Sequence, residues 1–274
     1  FCARQPGSRL RPLLFRRLYP YLAGLAQQPA SALASFFGVE PDTLCDPLYS
    51  HRPRLRNTAA TRMFFSAGLR DVIGAYDAAE ELASRLPEAF SRWDPLHQAQ
   101  YLETSFLLPG YILSSQGDRV AMAHGVEGRF PFLDHRLVEF AARIPPNMKL
   151  SGLREKHILK KVAKGLVPES IVARDKQPYR APESSSFLGG QAGDHVTQCL
   201  SAEAIGRSGL FNPQLVARLM EKGRRQPMAG FRDNAAFVGI LSTQLWVDSF
   251  TRRPHPAVST ELQPEQRAVS KEMR

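Results

Sequence analysis

Apolar residues recur at helical spacing along most of the chain. Leu10, Leu13, Leu14, Leu18 and Tyr21 fall three or four apart over residues 9–27, with Pro20 set to bend or break the run. Residues 69–85 read as one amphipathic helix ending before Pro87, with acids at Asp77, Glu80 and Glu81. Residues 95–108 read as another, with Pro95 suited to the first helical position. The stretch "DRVAMAHGVE" (118–127) starts as a short helix released at Gly125. "GRFPFLD" (128–134) then reads as extended, because Pro131 drives Phe130 out of the helical region. Asp134 is placed to cap a helix over 135–143, with Leu137, Phe140 and Ala141 on one inward face and Pro145-Pro146 as its stop. Residues 154–168 read as a helix with Ile158, Leu159 and Val162 inward, ending at Gly165, and a short helix over 168–174 follows. The loop "DKQPYRAPES" is fixed by Pro178 and Pro182, and residues 232–250 form the last strong helix.

No stretch sustains the period-two alternation of a strand, so the fold reads as mainly α. After Pro254 the composition turns polar. The expected organisation is therefore one folded part over 1–253 and a flexible polar tail over 254–274. With 43% hydrophobic residues the chain has enough apolar surface for a real core.

Charge divides the chain. Residues 71–142 hold five Lys/Arg against eleven Asp/Glu, while residues 143–180 hold ten against three. A basic block of that density suits a polyphosphate ligand, and equally a nucleic acid or a solvated helix face. Aromatic residues do not interleave with it as a base-stacking platform requires, so no nucleic-acid partner is expected. The three cysteines are far apart, and His124 and His135 share no ligand spacing, so neither a disulfide framework nor a metal site is expected. No apolar run has the length of a membrane span and no secretion signal reads at the start, so the expected setting is cytoplasmic, with no membrane partner.

Three features could carry chemistry. Asp118-Arg119 opens a Met/Ala-rich helix. Glu127 and Arg129 lie in "EGRFPFLDHR" (127–136), two apart and so on one side of an extended segment. Buried, such a pair must be matched and hydrogen-bonded, which suits a polar wall under a site or an ion pair that locks the segment. Lys176, with Tyr179 and Arg180, sits in the proline-fixed loop, where a held cation serves phosphate recognition or charge stabilisation.

The order of these features resembles one family. "GDRVAMAHGVEGRFPFLDHRLVEFAARIPP" (117–146), "EKHILKKVAKGLVPESIVARDKQPYRAP" (155–182) and "RDNAAFVGILSTQLWVDSF" (232–250) look like the synthetase domain of glutamine-hydrolysing asparagine synthetases. The resemblance implies an ATP-dependent ligase. MgATP and aspartate give a β-aspartyl-adenylate and pyrophosphate, and glutamine-derived ammonia then yields asparagine and AMP. It implies that Lys176 contacts phosphate as the catalytic lysine. Arg180, Asp118 and Arg119 are substrate- or phosphate-side candidates, and Glu127 and Arg129 brace the polar wall while the apolar residues beside them pack inward. The family's Ser-Gly-Gly-x-Asp-Ser and Gly-Glu-Gly-x-Asp-Glu segments, which hold adenylate, Mg2+ and pyrophosphate, do not occur in the 274 residues, nor does a glutaminase domain. The expectation is thus the helical C-terminal part of an α/β adenine-nucleotide-binding (ATP pyrophosphatase-type) domain, its parallel sheet mostly upstream. Such a part alone is expected to be inactive, its magnesium ligands are expected upstream, and the enzyme is a possible homodimer. A β-lactam synthetase or peptide cyclase type remains an alternative, and a basic nucleic-acid-binding module is the alternative of another class.

Overall fold

The computed structural model describes residues 45–174, 184–188, 192–225 and 231–252, with scattered positions between 8 and 33. The expected helix over 9–27, the loop with Lys176, Tyr179 and Arg180, and the tail lie wholly or mostly outside the described residues. Helices follow one another as α1 (Arg52–Ala59), α2 (Ala67–Ile73), α3 (Ala78–Ser84) and α4 (Pro95–Leu102), then a π-helix over Glu103–Asp118. Next come α5 (Arg119–Ala123), α6 (His135–Arg143), α7 (Pro146–Lys149), α8 (His157–Ala163) and α9 (Glu169–Ala173). The last four are α10 (Ala192–Cys199), α11 (Ala202–Ser208), α12 (Pro213–Arg225) and α13 (Phe231–Val247). Among the described residues there is no strand, only isolated bridges such as Phe65 with Phe211. The mainly helical reading of the sequence therefore holds.

The chain divides into two compact units, one of Phe1–Leu55 with Asp77–Tyr179, the other of Arg56–Tyr76 with Arg180–Arg274. The first is built on Leu48, Phe90 and Leu102, all essentially inaccessible. Around them Phe90, Trp93, Tyr101 and Phe106 form a chain of ring contacts at centroid distances of 5.3–6.3 Å, mostly edge-on as the ring quadrupoles favour. The second is built on α13, where Phe237, Ile240, Leu241 and Gln244 repeat at the i, i+3, i+4, i+7 spacing and are all buried. Val216, Leu219 and Met220 of α12 close the same core. Its buried polar groups are matched: Gln244 Nε2 donates to Ser208 Oγ at 2.7 Å, and Ser184 donates from both N and Oγ to Asn234 Oδ1.

Four expected elements are corrected: the segment 128–134 is not extended throughout but makes a 3-10 turn over Pro131–Leu133, the helix expected over 154–168 is confined to His157–Ala163, and two others change as follows. The single helix over 69–85 is two, because Gly74 takes a positive φ of 57° to end α2, and Asp77 starts α3 by accepting from Ala79 N at 2.7 Å. The helix over 95–108 keeps its start, with Asp94 capping Leu96 N, but continues to Asp118 in the wide register, through Pro109. The capped helix over His135–Arg143, its end before Pro145, the release at Gly125 (φ 64°) and the short helix near 168–174 are found where the sequence puts them.

Candidate functional site

Asp118 ends the π-helix and Arg119 begins α5, so the pair sits where one helical register gives way to another. The wide register runs to the end, since Arg119 N donates to Ser114 O, five residues back. Both side chains are exposed. Eight residues on, Arg129 Nη2 donates to Glu127 Oε2 at 2.5 Å, so the ion pair read from the sequence forms. It does not form where expected. The side chains are 80% and 85% exposed, and Phe130, Phe132 and Leu133 are exposed with them. The inward packing of these apolar residues is thus not found. The same correction applies to Leu137 and Phe140 of α6 and to Leu159 and Val162 of α8, all exposed. The common reason is that no residue between 103 and 174 is buried. The amphipathic faces exist, and no described residue covers them.

Within this segment the local chemistry is well made. Asp134 Oδ1 accepts from Arg136 N at 2.9 Å, and its two oxygens take Arg136 Nε and Nη2 at 3.1 and 2.8 Å. These bonds, the guanidinium first and the backbone N–H second, hold the Asp134 carboxyl below its ordinary value. Because the folded-state value is depressed, the cap stabilises fully above the ordinary carboxylate range and is lost as pH falls through the depressed value. Acid titration followed at the Arg136 amide is expected to show this loss, and Asp134→Ala is expected to abolish the titration and fray the start of α6. An Arg136 amide that titrates alike in both proteins would refute the assignment.

Lys149 is a residue that sequence reasoning passed over. Its Nζ lies 3.1 Å from His97 Nε2 and donates to Gln100 Oε1 at 3.2 Å and to Ala142 O at 3.4 Å, tying α7 to α4 and α6. Burial pushes its pKa down. The partners stand 52, 49 and 7 residues away, so no local pattern announces them. In the second unit, His195 Nε2 lies 3.6 Å from Cys199 Sγ in a shallow cleft shared with Gln244 and Asp248. Burial and then the Asp248 charge push the thiol up, which keeps it protonated and makes it a poor nucleophile.

Among the described residues no three His, Cys, Asp or Glu side chains gather as a metal set, and no helix is long and apolar enough to cross a membrane.

The asparagine synthase family model matches residues 13–248, and the chain belongs to that family. It is 35% identical over 145 residues to the amidase chyE of Penicillium rubens, covering 50% of this chain and 21% of that protein. It is 32% identical over 136 residues to the amidase chry2 of Gibberella zeae, covering 47% and 20%. Over 67 residues it is 46% identical to asparagine synthetase [glutamine-hydrolyzing] 3 of Bacillus subtilis, covering 24% and 11%. The chain thus spans about a fifth or less of the length of these relatives. No solved structure matches it significantly.

Proposed function

We propose that the protein carrying this chain is an ATP-dependent, amide-forming synthetase that converts aspartate and ammonia to asparagine. The observation that supports it most is the family match over 13–248 with the 117–146 run in one exposed, unbroken segment. In this reading a carboxylate oxygen of aspartate attacks the α-phosphorus of ATP, the bond to the β-phosphate breaks, and pyrophosphate leaves. The nitrogen lone pair of ammonia then forms the C–N bond as AMP leaves, and ammonia gives up a proton. Lys176 supplies a cation to the phosphates. Asp118, Arg119 and Arg180 stand on the substrate side, and Glu127 and Arg129 orient the segment that carries them. Ammonia comes from a glutaminase domain, and the uncovered apolar faces of α6 and α8 pack against the nucleotide-binding sheet that the resemblance implies.

A specific observation favours a second reading. The two fungal relatives named as amidases match over 145 and 136 residues, against 67 to 124 for the relatives named as asparagine synthetases. In the second reading the activated carboxylate belongs to another molecule than free aspartate. The test is pyrophosphate and AMP release by the whole gene product, given ATP, ammonia and a panel of carboxylates. One equivalent of each per amide formed from aspartate is the expected result. Turnover only with a different carboxylate selects the second reading, and turnover with none refutes both. The 274-residue chain by itself is expected to release no pyrophosphate; robust turnover by it would overturn that division of labour.

A further inference from the structure

Glu103 opens the π-helix, and groups from residues 50–54 converge on it. His51 Nε2 lies 3.1 Å from Glu103 Oε1, and Arg54 Nη1 donates to the same oxygen at 3.1 Å. The His51 side chain is only 10% exposed, and its Nδ1 lies 2.8 Å from Ser50 Oγ. A carboxylate only accepts, so the network assigns the proton to Nε2, and the Ser50 hydroxyl donates to Nδ1. Every polar atom of the imidazole is thereby satisfied, and burial, opposed in part by Glu103, favours its neutral form. Below this arrangement lie Leu48 and Leu102, the residue just before Glu103, both fully buried. The head of the π-helix is therefore fixed twice, by core packing and by two donors on one carboxylate.

Past Phe106, whose ring meets Tyr101 in the first turn, the rest of that helix has no buried side chain to hold it. From Glu103 to Asp118 no side chain is buried, and Pro109 inside it offers no N–H. π-Helices usually occur as single turns, often at functional sites, so sixteen residues in this register need a cause. A helix held only at its head takes its register from that head. Moving from i−5 to i−4 bonding would turn and displace its far end, where Asp118 and Arg119 sit.

We infer that the His51–Glu103–Arg54 clamp sets the register of the 103–118 helix, making Glu103 a positioning residue for Asp118 and Arg119. What those two residues touch rests on the synthetase reading; the clamp itself does not.

The test compares Glu103→Ala with Glu103→Gln, which keeps a carbonyl oxygen for both donors. Hydrogen exchange in the chain is expected to rise about ten-fold or more at the amides of 107–119 in the alanine variant, and to stay within about three-fold in the glutamine variant. Arg54→Ala, a change at a half-exposed side chain, removes one donor and is expected to fall between them. In the whole gene product the alanine variant is expected to raise KM for ATP about ten-fold with kcat within about two-fold, and glutamine is expected to restore it. Unchanged exchange over 107–119 in the alanine variant overturns the clamp. So does a joint fall of kcat and melting temperature at constant KM, which marks a merely structural role. If the unmutated protein releases no pyrophosphate, the synthetase reading has failed, and the exchange result alone decides the clamp.

Discussion

Lys176→Ala is expected to lower ATP-dependent pyrophosphate release by about 10²–10³-fold while leaving KM for ATP within about two-fold. The expectation follows from when the charge appears. As the bond between the α- and β-phosphates breaks, negative charge grows on the departing oxygens, and a fixed ammonium meets it without further reorganisation. A group that acts chiefly on charge developed in the transition state changes kcat and kcat/KM together. In the proposed role, Pro178 and Pro182, which follow Lys176 in the sequence, are expected to lower the entropy lost in holding the lysine. Lys176→Arg keeps the charge but spreads it over a planar fork, and is expected to recover only part of the rate. Steady-state kinetics with both variants checks this. A loss of less than about three-fold, or one carried by KM alone, removes Lys176 from the chemical step and leaves it a solvated loop lysine.

How much of this was legible in the sequence depended on the range of the interactions. The helix His135–Arg143 was readable because Asp134 caps it from one residue away and Pro145 stops it from two. α13 was readable as a helix over 232–250 because its apolar positions recur within one element, and the structure adds that Phe237, Ile240 and Leu241 form its buried face. The break at Gly74 was not, since the apolar positions on either side of it remain compatible with one continuous helix. The register of 103–118 was not either, because a run with Phe106, Leu107, Leu108, Ile112 and Leu113 fits more than one helical period. For the candidate site, the same-side placement of Glu127 and Arg129 followed from their spacing, and the pair forms. Their burial did not follow. An amphipathic pattern tells which face of a segment is apolar, and says nothing of whether a partner element covers it. Lys149 and the Glu103 clamp depend on contacts about fifty residues apart, which a single sequence does not encode in any local pattern.

Phe237→Ala is expected to destabilise the second unit by about 3–5 kcal/mol, the range for removing a large aromatic side chain from a packed core. Phe237 is fully buried at the centre of α13. The Phe187 ring lies 6.2 Å away at a tilt, and Ile240 and Leu241 flank it one turn on. Removing the ring leaves a void in the cluster that also holds Val216 and Leu219 of α12. Trp246, nine residues further along the same helix and 58% exposed, is the matched control: Trp246→Ala removes more surface but almost no core, and is expected to stay within about 0.5 kcal/mol. Urea denaturation followed by circular dichroism gives both values. Because the chain has two units with separate cores, Phe90→Ala is the complementary change, expected to weaken the first unit through its Trp93 and Tyr101 ring contacts. Two distinct transitions, each moved by only one of the two substitutions, mark independent folding. A single transition moved by both marks one cooperative body. A Phe237→Ala midpoint no lower than that of Trp246→Ala would show that α13 is not the structural centre of the second unit.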